Sequence, residues 1–235
     1  VAKELAGDGN VNMLSRPGNS YLYVAWNLSH PFLKDRDVRR ALAMAIDRRR
    51  ILNDVYAGMG ELSLGPMPPS SWGYDGTIEP VPYSLETARS ILQNKGFGDY
   101  NRNRIVDRDR TDFTIKIITN SENPDRLAIL RYVVEDLQKI GVRVTSQSLD
   151  AGAFVTALLS GQFDGFIMGW RVADKIDPAV FWHSKGRYNL ISYANPVVDS
   201  LIDAGLAMLD RKKAKVIWNE FQKAVYEDQP YAFLV

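Results

Sequence analysis

The chain has 235 residues, of which 46% are hydrophobic and 24% are charged, as is typical of a globular protein. Its 29 basic and 28 acidic residues give a net charge of +1, so no overall field favours nucleic acid or an anionic membrane. The lack of cysteine excludes disulfides and thiolate metal sites, and no apolar run approaches the roughly 18 residues that a membrane span needs.

The first part of the chain predicts one strand followed by three helices. Residues 21–28 are rich in aromatic and β-branched side chains, which favours a strand. Asp37, Asp47 and Ser84 each precede apolar residues at helical spacing, so we expect each of them to cap a helix. Before the third helix, residues 64–83 contain proline and glycine throughout and predict a long ordered loop.

A polar stretch, residues 98–112, has a spacing similar to that of an EF-hand calcium loop. Its alternating oxygen-bearing residues are Asp99, Asn101, Asn103 and Asp107. However, Arg104 stands where the sharp turn of such a loop needs glycine, and Arg110 stands where the loop needs glutamate. We therefore expect a solvated turn here rather than a calcium site.

The second half of the chain alternates strands with helices. Segments 113–119, 142–149 and 163–170 have the composition of strands, and a helical pattern separates each from the next. Because helical crossovers place such strands side by side, we expect these three in one sheet. Two more helices and a terminal strand at 230–235 follow. The pattern indicates a single α/β domain over residues 1–235, with a largely parallel or mixed sheet.

Few residues carry the patterns of known catalytic or phosphate-binding sites. The sequence has no Gly-x-Ser-x-Gly motif and no glycine-rich loop followed by the lysine of a phosphate loop. His30 and His183 lie far apart without the spacing of a metal site, so we interpret both as loop residues. The basic run at 47–50 is balanced by nearby acids on a helix face, which disfavours nucleic-acid binding.

The stretch GWRVADKIDP, which follows the strand ending at Trp170, most suggests a binding site. Asp177 precedes Pro178 and a helical segment, so we expect its carboxylate to cap that helix. Asp174 has no such capping role. Ligands of α/β sheets bind beyond the carboxyl ends of strands, and a carboxylate beside an indole ring suits a cationic group. The alternative is a hydrolase that uses Asp174 and Asp177 as acid and base, like a glycosidase pair.

Six stretches, in this order and spacing, resemble the extracytoplasmic oligopeptide- and dipeptide-binding proteins of ABC transporters, a family that also includes nickel and oligosaccharide binders. They are YLYVAWNLSHPFLKDRDVRRALAMAIDRRRI, YSLETARSILQNKGF, LQKIGVRVTSQSLD, FDGFIMGWRVADKIDP, NLISYANPVVDSLI and VYEDQPYAFLV. The resemblance covers nearly the whole chain. It implies a type II periplasmic-binding-protein-like lobe, with a mixed sheet flanked by helices.

The resemblance also assigns residues to a ligand site. In peptide-binding members an aspartate soon after the Gly-Trp pair holds the ligand's α-ammonium group, and Asp174 fits that position. Trp170 fits the aromatic residue, and Arg171 places a positive charge beside the site. Three residues separate Trp170 from Asp174, one more than in many members, which leaves a non-peptide ligand open.

The function implied by the resemblance is binding rather than catalysis. Members of this family are about twice as long, so residues 1–235 are expected to be the C-terminal lobe of a two-lobed clamshell. Such a protein captures oligopeptides or dipeptides and hands them to a membrane permease; an oligosaccharide or a nickel chelate is the alternative ligand. We expect no cofactor, no bound metal, a monomer, and a periplasmic or membrane-anchored extracellular location, with the signal segment outside this chain.

Overall fold

A five-stranded mixed sheet forms the centre of the structure, a computed structural model that describes residues 18–172 and 176–235. The strands of the described residues are β1 (Ser20–Trp26), β2 (Asp107–Arg108), β3 (Thr111–Asp112), β4 (Thr114–Asn120), β5 (Arg143–Leu149), β6 (Gly165–Arg171) and β7 (Tyr231–Phe233). The order in the sheet is β5-β4-β6-β1-β7, with β4 parallel to both of its neighbours and β1 antiparallel to both of its own.

The predicted common sheet is confirmed, because β4, β5 and β6 correspond to the three segments expected to lie together. Each strand lies within two residues of its predicted bounds. The fold class is also confirmed: a mixed sheet is flanked by helices.

Helices cover both faces of the sheet. In the described residues they are α1 (Arg36–Ala45), α2 (Arg48–Tyr56), α3 (Leu85–Asn94), α4 (Pro124–Gln138), α5 (Ala151–Ser160), α6 (Ala179–Trp182), α7 (Pro196–Ala207) and α8 (Arg211–Asp228). Within residues 18–172 and 176–235, none of the helices combines the length and apolar character required to cross a bilayer.

The helix caps agree with the sequence at two of the three predicted positions. Asp47 and Ser84 accept hydrogen bonds from the backbone amides of Arg50 and Thr87 and cap α2 and α3. The prediction that Asp37 caps the first helix is wrong. Asp35 does so by accepting from the Asp37 amide, and Asp37 lies in the first helical turn, where a negative charge suits the helix dipole.

Alternate residues of the strands feed two separate apolar clusters, one on each face of the sheet. On the first face, Val24 and Ile117 pack in a cluster with residues of α1, α3 and α4. On the second face, Tyr23 and Phe166 pack in a cluster with residues of α5, α7 and α8. The molecule is therefore a three-layer α/β/α unit whose sheet is covered on both sides except at its edge strand β5, most of whose residues are exposed.

The predicted loop at 64–83 contains neither helix nor strand and is held against α8. Gln222 of α8, itself buried, donates to the Gly73 carbonyl oxygen at 2.8 Å and accepts from the Asp75 amide at 3.1 Å. One buried amide side chain thus supplies hydrogen bonds that a helix or strand would make within its own backbone.

The polar stretch at 98–112 forms a turn that satisfies its own oxygen atoms. The buried Asp107 carboxylate accepts from the Tyr100 amide at 2.9 Å. Asn101 and Asn103 each donate a side-chain amide to the Asp112 carboxylate, at 2.8 and 2.7 Å. The structure therefore agrees with the predicted turn, and its carboxylates are engaged by the chain itself.

Two helices of the second face approach unusually closely at Gly205. A Cβ atom at this position of α7 would lie 2.5 Å from the ring of Trp218 in α8. Glycine inside a helix costs about 1 kcal/mol relative to alanine, so close packing is the reason that it fits here.

A buried guanidinium joins the two helical layers beside β7. Arg39 of α1 donates to the carbonyl oxygens of Leu33 and Lys34, at 2.9 and 3.0 Å, and to those of Asp228 and Gln229. Asp228 is the last residue of α8, where backbone carbonyls have no partner within the helix and carry the negative end of its dipole. Arg39 thus caps a helix of the opposite layer.

Replacing Arg39 by methionine should lower the free energy of unfolding by about 3 kcal/mol or more, because several buried carbonyl groups would lose a charged donor. Urea unfolding followed by circular dichroism measures the loss. Arg40→Met is the matched control, since Arg40 is the exposed neighbour; it should change stability by less than about 0.5 kcal/mol. Equal effects of the two substitutions would contradict this role for Arg39.

Candidate functional site

The carboxyl edge of the sheet, where β4, β5, β6 and β7 end, is the candidate site. Because β1 runs the opposite way, its first residues lie at this same edge, with Ser20 paired to Arg171. The Leu22 amide also donates to the Val235 carbonyl oxygen at 2.7 Å, which holds the segment after β7 there. Ligands of α/β proteins bind beyond such an edge.

Trp170, the predicted aromatic residue, is the penultimate residue of β6 and is partly exposed. Its ring stacks on that of Tyr23 with centroids 6.1 Å apart and packs on that of Phe181 with centroids 4.2 Å apart. Within the described residues the indole Nε1 is shielded from solvent and makes no hydrogen bond of good geometry, although it lies close enough to the Tyr231 hydroxyl to affect the pKa of that group. The ring rather than the N–H group is therefore the part that can face a ligand.

The stacking continues outward to the surface. Phe181 stacks on Tyr188 with centroids 5.7 Å apart, and Tyr188 is 38% exposed. The guanidinium of Arg187 lies 4.5 Å from the centre of the Tyr188 ring. We call Trp170, Phe181 and Tyr188 the aromatic row; it runs from the end of β6 to the solvent and ends beside a cation.

Buried tyrosines support the inner end of this row. Tyr23 and Tyr231 stack almost parallel, with centroids 4.1 Å apart. Burial raises the pKa of Tyr231 to about 12, and burial, reinforced by Tyr231, raises the pKa of Tyr23 well above its ordinary value. Both hydroxyl groups therefore stay protonated at neutral pH. Among the described residues the buried Tyr23 hydroxyl makes no hydrogen bond of good geometry, although the Tyr231 hydroxyl lies near it, and such a group is uncommon in a folded protein.

Two of the remaining predicted residues, Arg171 and Asp177, lie in the described part of the chain. Arg171 is exposed, and its Nε donates to the Asn19 side chain at 3.2 Å. Its side chain lies on the face opposite to that of Trp170, because neighbouring strand residues alternate. Asp177 accepts from the Ala179 amide at 3.3 Å, but the prediction that it caps α6 is wrong, because Pro178 is the N-cap and no side chain of the described residues caps that helix. Asp174 lies outside the described residues.

Sequence reasoning missed Arg126. Its Nη1 donates at 2.8 Å to Asn120, the last residue of β4, which places the guanidinium at the carboxyl edge. Its Nε is buried and has no hydrogen-bond partner among residues 18–172 and 176–235. The sequence contained one indication of a role for Arg126. It lies in the first turn of α4, three residues after the Asn123 cap, where a positive charge is unfavourable for the helix dipole and so calls for another role.

A concavity of about 640 Å³ opens at the same edge beside β1. It is lined by the start of β1, by the segment from Tyr56 to Ser63 and by Pro68, Pro69 and Val235. None of the described residues that line this concavity belongs to the aromatic row. The row and the concavity are therefore separate features of the same edge.

Both histidines lie in turns, as expected. The Nδ1 atom of His30 accepts from the Phe32 amide at 3.2 Å, and that of His183 accepts from the Lys185 amide at 3.0 Å. Burial lowers the pKa of His30 below its ordinary value, and the Asp164 carboxylate opposes part of that shift. The fold thus favours neutral His30, with Nδ1 free to accept a hydrogen bond.

The sequence matches the family model of the bacterial extracellular solute-binding proteins, family 5, over residues 1–189. This match covers most of the chain and agrees with the mixed α/β fold. The chain belongs to this family of solute-binding proteins, whose members are binding proteins rather than enzymes.

Particular relatives extend the comparison. The oligopeptide-binding protein AppA of Bacillus subtilis is 33% identical over 233 residues, which is 96% of this chain and 43% of AppA. The dipeptide-binding protein of Pseudomonas aeruginosa is 27% identical over 236 residues, which is 97% of this chain and 42% of that protein. The chain thus spans less than half the length of these relatives.

Solved structures give the same picture. The structure of Bacillus subtilis AppA in complex with a nonapeptide superposes with a TM-score of 0.91 and 31% identity, over 99% of this chain and 48% of that one. NikZ of Campylobacter jejuni in complex with Ni(L-His) superposes with a TM-score of 0.87 at 24% identity, over 99% of this chain and 48% of that one. The second likeness shows the fold alone.

Stability should fall as pH drops from about 7.5 to about 5.5, because the unfolded chain binds a proton at His30 more readily than the folded protein does. The contribution of His30 is fully present above its unfolded pKa and declines below it, as the folded pKa is approached. His30→Asn should remove this decline, since an amide oxygen can accept the same backbone N–H. Urea unfolding at both pH values measures the effect. His183→Asn is the control and should retain it; a decline unchanged in His30→Asn would contradict the assignment.

Trp170→Phe should lower the free energy of unfolding by about 1 kcal/mol, because the smaller ring keeps only part of the contacts with Tyr23 and Phe181. Trp170→Ala should cost about 2–4 kcal/mol through loss of the same contacts. Chemical denaturation of both variants makes the comparison. If the phenylalanine and alanine variants lost equal stability, the loss would come from a hydrogen bond of the indole Nε1 rather than from the ring contacts.

Proposed function

We propose that this protein captures an oligopeptide or dipeptide and delivers it to the permease of an ABC importer. The observation that carries the proposal is the superposition of 99% of the chain on AppA in complex with a nonapeptide, at a TM-score of 0.91. The 33% identity to AppA over nearly the whole chain supports the same ligand class.

The chain is proposed to be one lobe of a clamshell, with the ligand held between this lobe and a second one. The length supports this, since relatives are more than twice as long. The carboxyl edge supports it as well: it gathers an aromatic row, a concavity and a buried guanidinium nitrogen without a partner. Closure of two lobes supplies polar partners from both sides and excludes water.

At this edge we assign opposite charges to the two ends of the peptide. Asp174 holds the α-ammonium group, with Trp170 as the neighbouring aromatic surface and Arg171 as a nearby cation. Arg126 holds an anionic group, such as the terminal carboxylate, because a guanidinium binds carboxylates in a bidentate manner. Two opposite charges in one site would then select zwitterionic ligands over neutral ones.

The competing function is hydrolysis by Asp174 and Asp177. The engagement of Asp177 with the Ala179 amide speaks against a free catalytic carboxylate there. Mass spectrometry of peptide recovered from the full-length protein separates the two, since a binding protein returns its ligand intact. A shortened product that forms with protein and not without it would favour the hydrolase.

The proposal places the protein outside the cytoplasmic membrane, in the periplasm or anchored at the cell surface, and working as a monomer. The extracellular description of the family supports this location.

Asp174→Asn should weaken binding of a peptide with a free amino terminus by about 1.5–3 kcal/mol, the value of a charge-assisted hydrogen bond. An N-acetylated peptide should bind weakly to the wild type, and Asp174→Asn should weaken that binding only slightly further. Calorimetry on the full-length protein measures both affinities. Asp177→Asn is the matched control, because the Asp177 carboxylate contacts the Ala179 amide and is not assigned to the ligand. An unchanged affinity of Asp174→Asn for the free peptide would remove Asp174 from the site.

Arg126→Gln should weaken binding of a peptide with a free carboxyl terminus by about tenfold or more, the effect of losing one charged hydrogen bond. A carboxyl-amidated peptide should bind the wild type and the variant almost equally. Arg131→Gln, an exposed residue of the same helix, is the control and should have no effect. A loss that is equal for the free and amidated peptides would mean that Arg126 acts through folding rather than through ligand charge.

A further inference from the structure

The connection between α7 and α8 presents apolar side chains to the solvent. Leu209 is 97% exposed and Leu206 is 42% exposed, and Val216, one turn into α8, is 64% exposed. We call Leu206, Leu209 and Val216 the apolar tip. It is separate from the carboxyl-edge features described above.

The local helix geometry does not use Leu209. This residue directly precedes Asp210, which caps α8 by accepting from the amides of Lys212 and Lys213. A hydrophobic residue at that position usually packs on the fourth helical residue, which is Ala214 here. Ala214 is buried in the core while Leu209 is almost fully exposed, so this packing is not made.

Four cations follow the apolar tip at the start of α8. They are Arg211, Lys212, Lys213 and Lys215, and all are exposed. The first turn of α8 holds no acidic residue, although the helix dipole favours negative charge there. Within the described residues none of the four forms an ion pair, and Arg211 instead lies 4.8 Å over the Trp72 ring. This charge pattern opposes helix stability, so it calls for another explanation.

Exposed leucines beside unpaired cations fit an anionic lipid surface. Apolar side chains enter the boundary between headgroups and acyl chains, and each lysine or arginine near the surface gains attraction to anionic lipids. A protein partner is less well matched, because lysine is depleted from the centres of protein interfaces. Flexible lysines without fixed partners suit a fluid array of phosphates better than a rigid surface.

We propose that the apolar tip and the cations of α8 dock this protein on an anionic phospholipid surface. The contact is peripheral: Leu206 and Leu209 insert at headgroup depth, and Lys212 and Lys213 lie among the phosphates. Arg211 is tied through Trp72 to the loop whose Ser70 donates to the Gly18 carbonyl oxygen, just before β1. Docking therefore places the carboxyl edge near the bilayer, where a permease receives the ligand.

The test is co-sedimentation of the full-length protein, without any lipid anchor, with vesicles of phosphatidylcholine containing phosphatidylglycerol or of phosphatidylcholine alone. We expect binding to the anionic vesicles only, with a strong decrease at high salt. Lys212→Gln/Lys213→Gln should lower the partition coefficient by about tenfold or more, and Leu206→Ser/Leu209→Ser should lower it by a similar factor.

Matched controls separate docking from general charge or hydrophobicity. Arg40→Gln/Arg49→Gln removes two exposed cations elsewhere, and Val155→Ser/Leu159→Ser removes an exposed apolar pair of α5. Both controls should bind vesicles as the wild type does. Failure of the wild type to bind anionic vesicles, equal binding to neutral ones, or equal losses in the control variants would each overturn the proposal. Self-association through the tip without vesicle binding would overturn it in favour of a second copy.

Discussion

The capping of α8 by Arg39 is the interaction on which the arrangement of layers most depends. A guanidinium is costly to bury, and this one is accommodated because it meets carbonyl oxygens that a helix end leaves without partners. Its acceptors are carbonyl oxygens of the segment just before α1, on one face of the sheet, and of the end of α8, on the other. The start of β7 is thereby fixed two residues after Gln229, and β7 in turn borders β1.

The geometry of the carboxyl edge follows from this fixed order of strands. The single reversed strand, β1, brings the beginning of one chain segment to the ends of four others. Tyr23 and Tyr231 then stack across the β1–β7 border beneath Trp170. The close stacking of these rings, rather than hydrogen bonds of their hydroxyl groups, fixes the position of the Trp170 ring.

The sequence predicted much of the fold because strand and helix periodicities are local properties. The three crossover strands followed from alternation and glycine boundaries, and Trp170 followed from its place at a strand end. The cap of α1 was misplaced by two residues because Asp35 and Asp37 have equal capping chemistry, and only the backbone angles distinguish them. Arg126 was missed because its meaning depends on Asn120, a contact that no local pattern shows. Asp174 stays a prediction.

Gly205 has a consequence for the surface that α7 and α8 share. The indole ring of Trp218 lies directly against the Cα atom of Gly205, and this contact sets the distance between the two helices. A residue with a side chain at position 205 would not allow so short a distance. The turn that joins them is only a few residues further along the chain, and its direction follows from that spacing. The missing side chain at Gly205 therefore sets the direction in which the exposed leucines of this turn point. A methyl group at this position would push the two helices apart and change that direction.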